Sequence, residues 1–108
     1  MEPRLCLRSP LKLPVTIVFN DKKIDCTSRD FSLGGMYLET DDSFVTMGTE
    51  AILSFSLHQD NRPKRHHLNA KVTHTKADGI GISFQRVGKA SFQTLQELLK
   101  FTRQQNLH

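Results

Sequence analysis

The sequence predicts a mainly β fold, a small six-stranded antiparallel barrel finished by one α-helix, and three observations carry that prediction. Apolar and polar residues alternate through most of the 108-residue chain, turn-forming residues separate the alternating stretches, and the period changes after Gly88. In residues 12–20 (KLPVTIVFN), Val15, Ile17 and Phe19 alternate with polar neighbours, as in a half-buried strand. Asn20-Asp21 supplies a turn, and residues 23–28 (KIDCTS) alternate again, so a hairpin is expected. After RDFSLGG, whose adjacent glycines permit positive φ and a tight reversal, residues 36–40 read as a third strand. Residues 50–57 and 68–74 give two more, with HQDNRPKRHH between them read as a polar loop. The Asp78-Gly79 turn precedes the last strand, residues 81–85. Beyond it Phe92, Leu95, Leu98 and Leu99 recur at helical spacing, with Ser91 as the expected N-cap. The barrel is assigned to residues 12–86 and the helix, packed over an open end or a partner's surface, to 89–103.

Bulk properties exclude several classes. One domain fills a chain of this length. No run approaches the roughly 20 apolar residues of a membrane-crossing helix, and the amino end lacks the apolar stretch of a secretory signal. No membrane insertion and a cytoplasmic location are expected. Cys6 and Cys26 are too far apart for a CxxC motif and are expected to be reduced thiols. Fifteen Lys and Arg against eleven Asp and Glu give a net charge of +4, which favours anionic partners without the dense basic stripe of a DNA-binding domain. Stacking platforms for single-stranded nucleic acid are scarce, with one Tyr and no Trp, so no DNA partner is expected. Five histidines raise the question of metal, but His66 and His67 are adjacent and point to opposite faces of a strand, so no metal site is assigned. No nucleophile-base pair, paired carboxylates or P-loop stands at a recognisable spacing; no catalytic residue is assigned, and the chain is not read as an enzyme.

Two clusters do carry chemistry. Arg4 and Arg8, in RLCLR, are four apart and present both guanidinium groups on one side. Each is a planar fork suited to phosphate oxygens or to O6 and N7 of guanine, with a flat face that stacks on a base. Asp30 and Ser32 stand two apart, so in an extended stretch their oxygens point the same way, and Gly34 and Gly35 turn the chain around whatever is bound. A carboxylate accepts from N1 and N2 of guanine, the edge opposite to the one arginine reads. Taken singly, the first cluster reads as a basic terminus and the second as a turn that bonds its own backbone.

Together, in this order, they resemble the two signatures of the PilZ family: Arg-x-x-x-Arg, here RLCLR, and some twenty to thirty residues later Asp/Asn-x-Ser-x-x-Gly, here DFSLGG. DGIGISF resembles the strand that closes that family's barrel before its C-terminal helix. The resemblance implies a cyclic di-GMP receptor with no other cofactor. Its flexible ligand-binding loop, residues 1–11, carries Arg4 and Arg8 to guanine and phosphate, while Asp30, Ser32 and Gly35 grip a guanine and Gly34 is a lesser candidate. Many members have an aromatic residue on the strand before the closing one; this sequence has His74, whose stacking role is correspondingly weaker. The implied partners are cyclic di-GMP and an unidentified effector protein governing motility, biofilm or polysaccharide output, with the chain a monomer or weak homodimer. The alternative is a PilZ-like adaptor that binds protein without nucleotide.

Overall fold

The computed structural model describes residues 9–20, 22–40, 45–59, 61–85 and 88–106. Strands β1 (Ser9–Pro10), β2 (Pro14–Phe19), β3 (Lys22–Phe31), β4 (Gly35–Glu39), β5 (Glu50–Gln59), β6 (Arg62–Lys76) and β7 (Gly79–Phe84) are followed by helix α1 (Gly88–Gln105). They pair in the order β1-β3-β2-β5-β6-β7-β4, all antiparallel, and β4 pairs back onto β3. Strands β2 to β7 therefore form the closed six-stranded antiparallel barrel expected from the alternating pattern. Closure leaves the ring itself with no open edge.

The inward positions are those the period of two selects. Val15, Ile17 and Phe19 of β2, Leu53, Phe55 and Leu57 of β5, and Ile80, Ile82 and Phe84 of β7 are all buried. Leu95 and Leu98 of α1 join the same core, which makes the helix part of the barrel's packing. Phe92, expected on that packing face, is 60% exposed, because burial along the helix starts at Leu95.

Several local expectations are corrected. The stretch read as a polar loop is the end of a long hairpin: β5 and β6 stay in register out to Gln59↔Arg62, and Asn61 takes a positive φ of 65° in the tight connection. Arg62, Pro63, Lys64 and Arg65 are all exposed, so the polar alternation that marks a strand disappears there while the backbone ladder continues. His66 is buried and stacks on Phe55, with ring centroids 5.6 Å apart, and His67 on the opposite face bonds Ser54 Oγ at 2.8 Å. Ser91 is not the N-cap: the helix begins at Gly88, whose φ of +84° only glycine adopts cheaply. Neither Gly34 nor Gly35 has positive φ. β3 runs past the expected hairpin to Phe31 and so takes Asp30 into the sheet.

Residues 9–11, within the stretch assigned to an N-terminal loop, are held against β3. Ser9 pairs with Phe31 and Pro10 with Asp30. The Ser28 hydroxyl then accepts from the Leu13 amide at 2.9 Å and donates to the Leu11 carbonyl at 2.6 Å, while the Leu11 amide donates to the Arg29 carbonyl at 3.1 Å. Leu11 and Leu13 are both buried. The end of α1 holds the same segment from outside: Gln105 bonds both the amide and the carbonyl of Lys12, at 3.0 and 3.1 Å, and Asn106 Nδ2 donates to the Pro10 carbonyl at 3.0 Å.

Replacing Ser28 by Ala strands a buried amide and a buried carbonyl, and is expected to cost about 1–3 kcal/mol in urea unfolding; a cost near zero would show the hydroxyl to be dispensable. His66 makes a second prediction. Its Nε2 is buried without a hydrogen-bond partner among the described residues, and burial, then Lys64 and His67, lower its pKa against an opposing pull from Glu97. Below its ordinary value the unfolded chain binds a proton that the folded chain refuses, so stability falls as pH drops through about 6.5 towards the folded value. Unfolding midpoints at pH 7.5 and 5.5 should diverge less for His66→Phe than for the parent; equal divergence would remove His66 as a source of acid sensitivity.

Candidate functional site

Arg4 and Arg8 lie outside the described residues. The other sequence-selected residues gather around the β3–β4 connection and one row of the sheet. β3 carries a bulge where it meets β4: Ser28 pairs with Leu38 and Asp30 with Tyr37, leaving Arg29 as the extra residue. Ser28 and Phe31 are both buried although they are three apart, which a regular strand forbids. The extra residue restores the parity and leaves Arg29 and Asp30 together on the outer side, exposed and half-buried respectively.

Ser32 is buried in the connection, beyond the end of β3, so it does not share a strand face with Asp30. Its hydroxyl accepts from the Gly34 and Gly35 amides at 3.2 and 3.3 Å, and its own amide donates to the Gly35 carbonyl at 2.9 Å. Ser32 thus shapes the turn that presents Asp30. Gly34 offers its carbonyl to the Phe84 amide at 2.9 Å. At Gly35 the requirement is close approach: a Cβ there would overlap the carbonyl oxygen of Ile82 on β7, backbone that cannot step aside.

His74 enters the same neighbourhood by register. His74 pairs with Gly81, Gly81 with Tyr37, Tyr37 with Asp30, and Asp30 with Pro10. Paired residues of antiparallel strands share a face, so His74, Tyr37, Asp30 and Pro10 form one lateral row on the barrel's outside. His74 is exposed, and its ring covers Gly81, where an added Cβ would stand 3.3 Å from the imidazole Cδ2. Three strand spacings, about 14 Å, separate His74 from Asp30.

Sequence reading passed over Arg29, Tyr37, Glu39 and Asp78, which make the most tightly bonded surface feature of this region. Arg29 Nε donates to Glu39 Oε2 at 2.8 Å and Nη2 donates to Asp78 Oδ2 at 2.8 Å, while its guanidinium carbon sits 4.5 Å from the centre of the Tyr37 ring. The Tyr37 hydroxyl donates to Asp78 Oδ1 at 2.6 Å. Hydrogen bonds from Tyr37 and then Arg29 bring the Asp78 carboxyl down to about 2, whereas burial and the bond to Asp78 raise Tyr37. Asp78 and Glu39 together raise the Arg29 guanidinium further above its already high value, so it stays charged at any physiological pH. The chain's lone tyrosine at an outward strand position was the available signal; the bulge that aims Arg29 at it has none.

Arg29, Glu39 and Asp78 also border an open dish of about 630 Å³ that extends to Pro14 and Thr27. Cys26, another lining residue, is a buried thiol in no disulfide, and Cys6 lies outside the described residues. Among the described residues no group of three or more His, Cys, Asp or Glu is placed to hold a metal, and no helix is long and apolar enough to cross a membrane.

The fold has counterparts among known proteins. Three solved structures are similar: the PilZ domain of CeSA from a cellulose-synthesizing bacterium (TM-score 0.70, 15% identity, covering 90% of this chain and 95% of that one), the Bacillus subtilis inhibitor of motility MotI/DgrA (0.74, 16%, 100% and 55%), and Borreliella burgdorferi PlzA in complex with c-di-GMP (0.61, 20%, 86% and 39%). The chain spans about half the length of the Bacillus protein and less of the Borreliella one. No curated protein matches the sequence. A family model described as the PilZ domain matches residues 2–101, and the chain belongs to that family.

Proposed function

We propose that the chain is a receptor for cyclic di-GMP that passes ligand binding on to an effector protein. The observation that carries this reading is the pairing of Ser9 with Phe31. Ser9 follows Arg8 directly, and Phe31 lies between Asp30 and Ser32. Consecutive Cα atoms are about 3.8 Å apart and antiparallel partners about 4.5–5.5 Å apart, so the last arginine of the first signature is one peptide away from the ledge formed by the second. Arg4 is five residues from Ser9, within reach of the same ledge.

In this reading Asp30 accepts from N1 and N2 of one guanine, and the arginines take O6 and N7 or the phosphate oxygens, so two opposed edges and the charge of one ligand are all satisfied. Ser32 and Gly34 set the shape of the ledge, Gly35 lets the backbone close on β7, and His74 stands at the far end of the row. Arg4 and Arg8 add charge-assisted hydrogen bonds to the phosphates. Output follows from the bonds of residues 10–12 to Gln105 and Asn106: a ligand that shifts the segment after Arg8 also bears on the end of α1. An effector that prefers the ligand-bound arrangement is then engaged when the messenger is abundant. The likeness to a motility inhibitor makes motility one candidate output, alongside biofilm and polysaccharide production.

Isothermal titration with cyclic di-GMP tests the proposal. Micromolar or tighter binding is expected, weakened about 5- to 150-fold by Arg8→Ala and by Asp30→Ala, the range set by about 1–3 kcal/mol per base-edge contact. No heat with the parent chain at high ligand would instead favour the adaptor that binds protein alone.

A further inference from the structure

Arg29 is committed in a way that suits a ligand contact. A guanidinium donates in its own plane, and two of its edges are taken by Glu39 and Asp78 at 2.8 Å each. One face lies over Tyr37, whose ring leans on the backbone at Gly79, where a Cβ would stand 2.9 Å from Tyr37 Cε2. The side chain is nevertheless 44% exposed. Its exposed part belongs to a flat, charged plane held by two carboxylates, stacked on a ring, and one residue from Asp30 on the same outer side of the bulge. Surface ion pairs of this kind add little to stability, so stability alone gives no reason to immobilise an arginine there.

We propose that the Arg29–Tyr37 stack is a base platform, a specificity-determining part of the site in which the guanine whose edge Asp30 reads lies on the outer face of the Arg29 guanidinium. This deepens the receptor reading above and rests on it. Arginine is the side chain for such a surface because its delocalised plane stacks on a purine, and a preset plane loses little entropy when the base arrives. Tyr37 fixes the height of the platform, and Glu39 and Asp78 fix its rotation.

The test is calorimetric titration of cyclic di-GMP into the parent, Arg29→Ala, Arg29→Lys and the double variant Glu39→Gln with Asp78→Asn, each with its melting temperature. Base stacking of about 1–3 kcal/mol predicts a loss of about fivefold or more for Arg29→Ala. Arg29→Lys should lose nearly as much, since it keeps the charge and lacks the plane, and the unclamped double variant should fall between, all with melting temperatures close to the parent's. Arg29→Ala binding within twofold of the parent overturns the platform and leaves the receptor reading intact. So does Arg29→Lys binding like the parent, which reduces Arg29 to a charge. If Arg29→Ala proves unfolded, Arg29→Lys and the double variant decide the matter by the same criteria. A parent chain that does not bind overturns the receptor reading, and the platform with it.

Discussion

The candidate site depends on one constraint: the chain before β2 is fastened along β3, by backbone bonds from Leu11 to Arg29 and from Ser28 to Leu13 and by the buried Ser28 hydroxyl. Ser28 Oγ closes on both the Leu13 amide and the Leu11 carbonyl, and Leu11 and Leu13 sink into the core on either side of Lys12. Two backbone groups that would otherwise be buried without partners are satisfied by one side chain. With those bonds in place the chain has no choice but to run back along β3, and Ser9 and Pro10 come to lie opposite Phe31 and Asp30. Without the hydroxyl, residues 9–13 lose two of the bonds that hold them beside Asp30. The same segment is gripped from the other side by Gln105 and Asn106, so the amino-terminal arm, the ledge and the end of the helix form one bonded unit.

The bulge at Arg29 is the second device, and it works through parity. A regular strand would send Asp30 and Ser28 to the same face and turn one of Ser28, Asp30 or Phe31 the wrong way. One inserted residue keeps Ser28 and Phe31 inward and places a cation and an anion side by side outside. Neighbouring charges of opposite sign suit a purine that offers acceptors on one edge and donors on another. The lateral row from His74 through Tyr37 to Pro10 then gives that pair a shelf, across which glycine at position 81 leaves room for the imidazole.

Most of the barrel was legible because its buried face and its period coincide: Val15, Ile17 and Phe19, or Ile80, Ile82 and Phe84, identify strands without help. The end of the β5–β6 hairpin was not, since Arg62, Pro63, Lys64 and Arg65 are solvated and alternation carries no information where both faces are wet. The helix start was misplaced for a different reason: Ser91 looks like a cap, yet Gly88 already makes the turn with a backbone angle that sequence does not display. At the site, Asp30, Ser32 and Gly35 were chosen by motif, and the structure gives them distinct placements, one on the outer face, one inside the turn and one against the backbone of β7. Glycine 35 was expected to matter through its backbone angle; close packing is the actual demand. Arg29 and Asp78 lie forty-nine residues apart and meet only because β4 pairs with both β3 and β7, a contact no local pattern encodes.

The most direct measurement of this fastening is residue-resolved amide hydrogen exchange of the ligand-free protein. The Leu11 and Leu13 amides, bonded to Arg29 and Ser28, should exchange as slowly as those in the middle of β3, because the arm opens only when the barrel does. Exchange at those two amides as fast as in an unstructured chain, with β3 still protected, would show that the arm is not held beside the ledge, and would contradict the site built on it.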